Sequence, residues 1–488
     1  MKKILLSIIV TTSLLGLNSC SEDRLDLEPI LDEIYTGDLT NEQEMLWATN
    51  SIYTSLASGS LFGADLLIHS DLMSDNVFVS NSLTSGYYQN MQSMGWSGDS
   101  GFGSWRGLYD VIQKANFVIL DDNLPETDVV KSFKGEAKIA RGLAYFYLMQ
   151  LYASNPTSGQ YQEDGVPLML MKYETPNYYP ARNTVSENYD QIIKDLTEGI
   201  NEMNPSARSS KTFLSPTAGR LILSKVYLTR GASGDYDKAI QYATEVLEKS
   251  PSNFEVITND KLYDYFTGTS EAKSEEQPET IYEIEQKSGF SLQINAHPAT
   301  FYSNQGTHKG LLIRKWVYEL FDGVDTPNKD DDDARVALMN TAGAPDTDSP
   351  SGVWTRKYPR SVGGNWYGNI KVFRMTEAKY VIMEAMAKKG DNAGALAKLN
   401  EHAAERNAKP YTGDALTAIL LDAQKEFIAE GHRFYDLKRN NLGYDKRDNC
   451  NSSNNTCSIP ADSKFFVLPM SLSERLLNPN MTQHPLWK

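Results

Sequence analysis

The chain has 488 residues, with 47 basic against 63 acidic side chains and a formal charge of −16. That balance excludes nucleic acid as a partner, because phosphates call for a basic face. Six histidines are scattered without a His-Glu-x-x-His motif, and Cys450 and Cys457 have poor zinc spacing with no histidine nearby, so neither a metal nor a cofactor is expected.

At the N-terminus, Lys2 and Lys3 precede an apolar stretch over residues 4–17, which has the shape of a signal peptide and is too short to span a bilayer as a stop-transfer helix. It ends at Leu17-Asn18-Ser19-Cys20, which resembles a lipobox. The resemblance implies a signal peptide over residues 1–19, cleavage before Cys20 and acylation of that cysteine. The alternative is an ordinary signal peptide with a chance cysteine. Two or three acyl chains would hold the protein on a bilayer at about 0.8 kcal/mol per buried CH₂. No later stretch is long and apolar enough to span.

Further along, Ala137, Ala140, Ala144, Leu148 and Leu151 recur at three- and four-residue steps and predict a helix over 134–152. Helices are expected over 221–228 and 236–247, joined by a turn at 231–234 and ended by Pro251. Tyr227, the turn glycine, Tyr236, Ala239, Ala243 and the closing proline resemble a tetratricopeptide unit with a few extra turn residues. A second pair is expected over 373–389 and 393–406 around Gly390-Asp391, with Ala395 and Leu399 at the matching positions. Such units bury their faces only by stacking, so the expected fold is mainly α. It is a tetratricopeptide-like solenoid with long irregular loops and a few short strands, one of them over 280–284. The loops lie over 70–104, 270–298 and 322–367, and loops of that length in a compact protein are usually functional. Cys450 and Cys457 bracket six polar residues. A short-loop disulfide is the favoured reading in an exported protein, and two free thiols are the alternative.

Four segments together resemble the SusD/RagB family of Bacteroidetes outer-membrane lipoproteins. They are the start Cys20-Ser-Glu-Asp-Arg-Leu25-Asp26-Leu-Glu-Pro29 and the helix bearing Trp105, Tyr109, Ile112, Ala115 and Asn116. The third is the Glu426-Phe427-Ile-Ala-Glu430-Gly431-His-Arg433-Phe-Tyr-Asp436-Leu437-Lys-Arg439 signature. The last is a tail with Leu468-Pro469-Met470, Glu474, Asn478-Pro479-Asn480 and Thr482-Gln483-His-Pro485. Ser471 and His484 depart from the family pattern. The resemblance implies one SusD-like domain over 20–488, with an N-terminal helical portion over 20–260 and a loop-rich and C-terminal portion over 261–488. It also implies a lipid-anchored outer-membrane protein facing the exterior. Such a protein captures an oligo- or polysaccharide for a SusC-like TonB-dependent transporter and is not an enzyme. A peptide-capturing relative is the first alternative, and a surface glycoside hydrolase the second.

Taken by itself, the spacing of Glu426, Glu430 and Arg433 predicts a charged ladder on one helix face. Phe427, Gly431, Phe434 and Leu437 form the packed stripe, and Gly431 allows close approach. The prolines of the tail predict an extended segment that wraps the helical body.

A sugar presents apolar C–H faces and hydroxyl edges, so its site needs flat aromatics flanked by amides or charged groups. Two loops are candidates. Residues 75–96 carry Tyr87, Tyr88 and Trp96 with Asn76, Asn81, Gln89 and Asn90, and Ser97-Gly-Asp-Ser-Gly101 would let backbone approach a ligand. Residues 354–367 carry Trp354, Trp366 and Tyr367 with Arg356, Arg360 and Asn365. Packing into the body is the competing reading for each aromatic. Phe301 and Tyr302 form a weaker third group. Tyr145, Tyr147, Tyr152, Tyr227 and Tyr236 are assigned to the scaffold. Gly98-Asp99-Ser100-Gly101 matches a serine-protease nucleophile surround, but only His69 precedes it, against the His, Asp, Ser order of those enzymes. The acidic run 330–333 lacks EF-hand spacing and is expected to be a solvated turn.

Overall fold

A computed structural model describes residues 38–172, 178–204, 208, 210–268, 277–286, 291–324, 332–359, 368–450 and 456–488. The expected signal peptide, Cys20, Asp330, Asp331, Arg360, Asn365, Trp366 and Tyr367 lie outside the described residues.

The principal helices are α1 (Glu42–Leu56), α2 (Asp65–Leu72), α3 (Gly103–Ile119), α4 (Asp128–Tyr152), α5 (Val185–Glu202) and α6 (Pro216–Arg230). They continue with α7 (Asp235–Lys249), α8 (Asn259–Thr267), α9 (Thr376–Lys388), α10 (Asn392–Glu405), α11 (Ala415–Glu426) and α12 (Arg433–Arg439). Their ends are set by local chemistry. Thr127 caps α4, Thr184 and Glu187 form a reciprocal capping box on α5, and Ser215 followed by Pro216 opens α6. Gly231 at φ +60° closes α6.

Sequential helices stack α3 on α4, α4 on α5, α5 on α6, α6 on α7, then α7 on α9 and α9 on α10 and α11. This is the expected mainly α, solenoid-like body, and both predicted helix pairs are present. The stripe of α4 is buried at Ala137, Ala140, Ala144, Leu148 and Leu151, and that of α7 at Ala239, Ala243 and Val246. Arg141 of α4 forks onto Asp195 of α5 at 2.8 and 2.6 Å, with both side chains buried. One boundary differs from expectation. Phe373 belongs to a strand, because the segment before Thr376 pairs with residues 280–284 and leaves the helix to begin three residues later.

The strands form two-stranded antiparallel ribbons: β1 (Val77–Val79) with β3 (Leu311–Ile313), β2 (Thr280–Ile284) with β6 (Ile370–Arg374), and β4 (Met339–Asn340) with β5 (Trp354–Thr355). A small ribbon, Tyr444–Asp445 with Ser458–Ile459, lies beside a Cys450–Cys457 disulfide.

The signature segment is not a continuous helix. α11 ends at Glu426, a turn follows with Ala429 at φ +60° and Gly431 at φ +74°, and α12 begins at Arg433. The expected surface ladder does not form. Glu426 is buried among Arg335, Arg374 and Arg406, Glu430 meets Lys357 and Arg374, and Arg433 reaches away to Asp75. Burial pushes the Glu426 carboxyl up, but Arg406, His402 and Arg374 outweigh it and hold it well below the usual range. Asp333, expected to be solvated, is buried and forks onto Arg335 at 2.9 and 2.8 Å.

The tail packs on the helical body. Leu468 N–H donates to Leu151 O at 2.7 Å, and Gln483 Nε2 donates to Gly98 O at 2.6 Å. Both departures from the family pattern have local roles. The Ser471 hydroxyl caps the short helix Leu472–Leu477, and buried His484 accepts from Leu486 N–H at 3.3 Å and meets Ser154 Oγ at 3.2 Å.

Candidate ligand-binding site

The β1–β3 ribbon decides which loops meet. Val77 lies opposite Ile313 and Val79 opposite Leu311, so the loop leaving β1 runs beside the loop entering β3. Ser80 N–H donates to Gly310 O at 2.8 Å, and Gly310 N–H donates to Phe301 O at 3.0 Å. Tyr87 and Tyr88 are thereby brought onto Phe301 and His308. Ring centroids are 5.3 Å apart for Tyr87 and Phe301, 4.7 Å for Tyr87 and His308, and 5.0 Å for Tyr88 and Phe301. Phe301 is wholly buried and floors the group, while Tyr87, Tyr88 and His308 remain half-exposed. These are favourable offset and edge-to-face distances, and they leave ring surface free for a ligand.

Tyr88 carries a conformational cost. Its backbone sits at φ 59°, ψ 2°, a left-handed state costing a non-glycine residue about 1–2 kcal/mol. The phenol is held by Asp65 Oδ1 at 3.3 Å, and burial, reinforced by that carboxylate, pushes it far above its ordinary pKa. It therefore stays protonated and available as a neutral group. His69 packs edge-on to Tyr88 at 5.8 Å, and burial pushes its imidazole down despite Asp65, so it is neutral at pH 7. Exposed Asn81, Gln89 and Asn90 lie on the same loop, and His308 Nε2 meets Asn295 Oδ1 at 3.2 Å. Among the described residues no cluster suited to a metal ion occurs.

The other candidates separate from this group. Trp96 is 6 % exposed, with its ring edge-on to Phe102 and Phe465 at 5.6 and 5.5 Å. It is a core residue under the tail, so it offers no ring face to a ligand. The neighbouring glycines make room for protein instead of ligand. A Cβ on Gly98 would lie 3.0 Å from Trp487 O, and one on Gly101 would lie 3.0 Å from Ser471 Cβ. Trp354 on β5 is 2 % exposed, packs with Phe78 and Leu312, and donates through Nε1 to Gly343 O at 3.3 Å. It too is scaffold, because the ribbon turns it inward. Arg356 is exposed, with Nη1 3.1 Å from Tyr263 Oη. Tyr302 is buried, donating to Asp71 Oδ2 at 2.6 Å and stacking on Tyr358. The sequence gives no signal that marks His308, His69 or Asn295 as ligand-site residues. Only the pairing of β1 with β3, separated by more than two hundred residues, puts the Tyr87 loop beside the segment around residue 308.

A family model described as "Starch-binding associating with outer membrane" matches residues 17–228, and the SusD family model matches residues 302–487. The chain belongs to the SusD/RagB family. Crystal structures of SusD-like proteins share the fold. A Bacteroides vulgatus ATCC 8482 protein described as a candidate sugar-binding protein is 24 % identical, with a TM-score of 0.79 over 93 % of this chain and 100 % of that one. A SusD superfamily protein of Bacteroides thetaiotaomicron VPI-5482 is 22 % identical, with a TM-score of 0.79 over 91 % of this chain and 100 % of that one. A SusD-like carbohydrate-binding protein of Bacteroides vulgatus ATCC 8482 is 21 % identical, with a TM-score of 0.74 over 91 % and 98 %. At these identities the likeness establishes the SusD-like fold. No curated protein matches the chain. Among the described residues no helix is long and apolar enough to cross a membrane.

Proposed function

We propose that this SusD/RagB member is an outer-membrane lipoprotein, anchored through Cys20 and facing the cell exterior. In this reading it captures an oligo- or polysaccharide and passes it to a SusC-like TonB-dependent transporter, without turning it over. The observation that carries the reading is the half-exposed aromatic group of Tyr87, Tyr88 and His308 over buried Phe301. It matches what the two faces of a sugar ring require: ring surface for the C–H face and nearby amides for the hydroxyls. The membership itself and the sugar-binding descriptions of two structural neighbours point the same way. Asn81 is the amide we place first at the rim. Arg356 is a contact only for a glycan long enough to extend past the patch, and Trp366 and Tyr367 are candidates from the second loop.

Affinity electrophoresis against a polysaccharide panel tests the reading. At least one glycan should retard the protein, and Tyr87→Ala combined with Tyr88→Ala should remove most of that retardation. Absence of retardation by every glycan, with peptide co-purifying instead, would move the assignment to a peptide-capturing member. Release of reducing sugar by the purified protein would contradict a binding-only role.

A further inference from the structure

A second aromatic cleft lies between the C-terminal half of α1, residues 212–213 and the end of β2. Its cavity volume of about 280 Å³ lies just under the roughly 300–1,000 Å³ typical of small-ligand sites. Tyr53 and Phe213 supply its accessible rings, and Asn50, Thr54, Thr212 and Glu285 its polar groups. None of these residues belongs to the Tyr87–Tyr88 group.

The walls are held rigidly. Tyr53 and Phe213 meet edge-to-face at 5.0 Å and 84°, forming a corner. The Tyr53 phenol is fixed at both ends, donating to Glu136 and accepting from Leu214 N–H at 2.9 Å. Asn50 Oδ1 accepts from Arg208 Nη2 at 2.8 Å, which fixes the amide. Tyr282 is fully buried and packs on Tyr53 with ring centroids 6.4 Å apart, so it backs the wall.

The charges around the cleft select the ligand class. Arg208 lies over Phe213 at 4.0 Å and is already paired with Glu136 at 3.3 Å, so a second cation would be repelled and has no free carboxylate at the base. Glu285 on the rim and the overall charge of −16 disfavour an anion. What remains is a neutral ligand, and the Tyr53–Phe213 corner beside Asn50, Thr54 and Thr212 suits one with an apolar face and hydroxyl edges. We propose that the cleft walled by Tyr53 and Phe213 is a second subsite that takes a single neutral pyranose residue. This rests on the glycan-binding reading above and extends it to two separate points of contact along one polymer. Two linked contacts raise avidity by an effective-concentration factor of about 10²–10⁴ over either alone.

The test uses the mature chain, methyl pyranosides of glucose, galactose, mannose, xylose and N-acetylglucosamine as monosaccharide probes, and the same polysaccharide panel. Thr54→Trp fills the cleft from an exposed position, and Phe213→Ala removes one wall. Thermal denaturation of each variant confirms folding. Saturation-transfer NMR should show at least one methyl pyranoside bound by the Tyr87→Ala/Tyr88→Ala protein. Thr54→Trp should cut that signal at least about fivefold and weaken polysaccharide retention by about tenfold or more. If Thr54→Trp and Phe213→Ala both bind as wild type while the Tyr87/Tyr88 variant loses all binding, the cleft proposal is wrong and the patch reading stands. If the cleft variants alone abolish binding, the cleft stands and the patch reading falls. Binding of no sugar by any form overturns both.

Discussion

Arg374, the last residue of β6, closes a two-point fork on Glu430 in the turn between α11 and α12. Nε lies 2.8 Å from Oε2 and Nη2 lies 3.0 Å from Oε1, with side chains 1 % and 7 % exposed. The same guanidinium meets Glu279 and Glu426, so one arginine ties the β2–β6 ribbon to the C-terminal signature. Removing it takes one cation from three buried carboxylates, and Glu279 loses its ion-pair partner among the described residues. Arg374→Met should therefore cost about 3–5 kcal/mol in denaturant unfolding, as for other broken buried pairs. Lys389→Met, which breaks an exposed pair with Asp237, should change stability by less than about 1 kcal/mol. Equal effects of the two changes would mean that the buried network carries no special weight.

A second buried fork governs acid stability. Arg439 Nε and Nη2 lie 2.8 and 2.6 Å from the two carboxylate oxygens of Glu384. Burial alone would push that carboxyl up, but Arg439, with Lys388 and Asn440, outweighs it and holds it at about 2. Because the folded pKa lies below the unfolded one, the stabilisation is fully present above about pH 4.5 and is lost as pH falls toward 2. The linked free energy is on the order of 3 kcal/mol. Melting temperature followed from pH 6 to 2 should fall steeply below about pH 4.5, and Glu384→Gln should flatten that limb while lowering the neutral-pH value.

Aromatic substitutions should divide into two classes. Trp96→Ala and Trp354→Ala empty core positions and should cost about 3–5 kcal/mol of stability. Glycan affinity per folded molecule should survive both changes. Tyr87→Ala, at a half-exposed ring, should leave stability nearly unchanged and weaken glycan binding by about 1–2 kcal/mol, or roughly five- to thirty-fold. Paired melting and binding measurements on the variants check this division, and a stable Trp96→Ala protein that has lost binding would contradict it.

Gly431 gives a sharper structural test. Its φ is +74°, and an added Cβ would lie 2.8 Å from Leu67 Cα and 3.0 Å from Leu67 O. Both obstacles are backbone, so side-chain adjustment cannot relieve the clash. Gly431→Ala should destabilise by more than about 1–2 kcal/mol, with the steric term added to the left-handed backbone term. A neutral outcome in denaturant melts would show that the turn can move away from α2.

Much of the scaffold was legible in the chain. The α4 and α7 stripes, the β2 span and the turn glycines follow from local rules of periodicity and capping, and local rules need no knowledge of distant partners. Within the candidate site, Tyr87, Tyr88, Phe301 and the loop amides were legible, and His308 was not. Trp96 and Trp354 looked equivalent to the two tyrosines, because a loop aromatic packs or stays exposed according to what lies opposite, and that is not encoded nearby. Phe465 and Trp487 of the tail cover the Trp96 region, and Phe78 and Leu312 cover Trp354. The signature carboxylates misled for a related reason: helical spacing says which residues share a face, and the turn at 427–432 removes that premise.

By itself the sequence determined the helical class and the family, since each rests on short-range pattern or on ordered motifs. Only the tertiary structure decided that Tyr87, Tyr88, Phe301 and His308 meet, that Glu426 and Glu430 are buried, and that an aromatic cleft opens beside α1. All three depend on pairings between residues far apart in the chain. Such contacts form where ribbon register and stacked helices bring surfaces together, and no local interaction specifies them in advance.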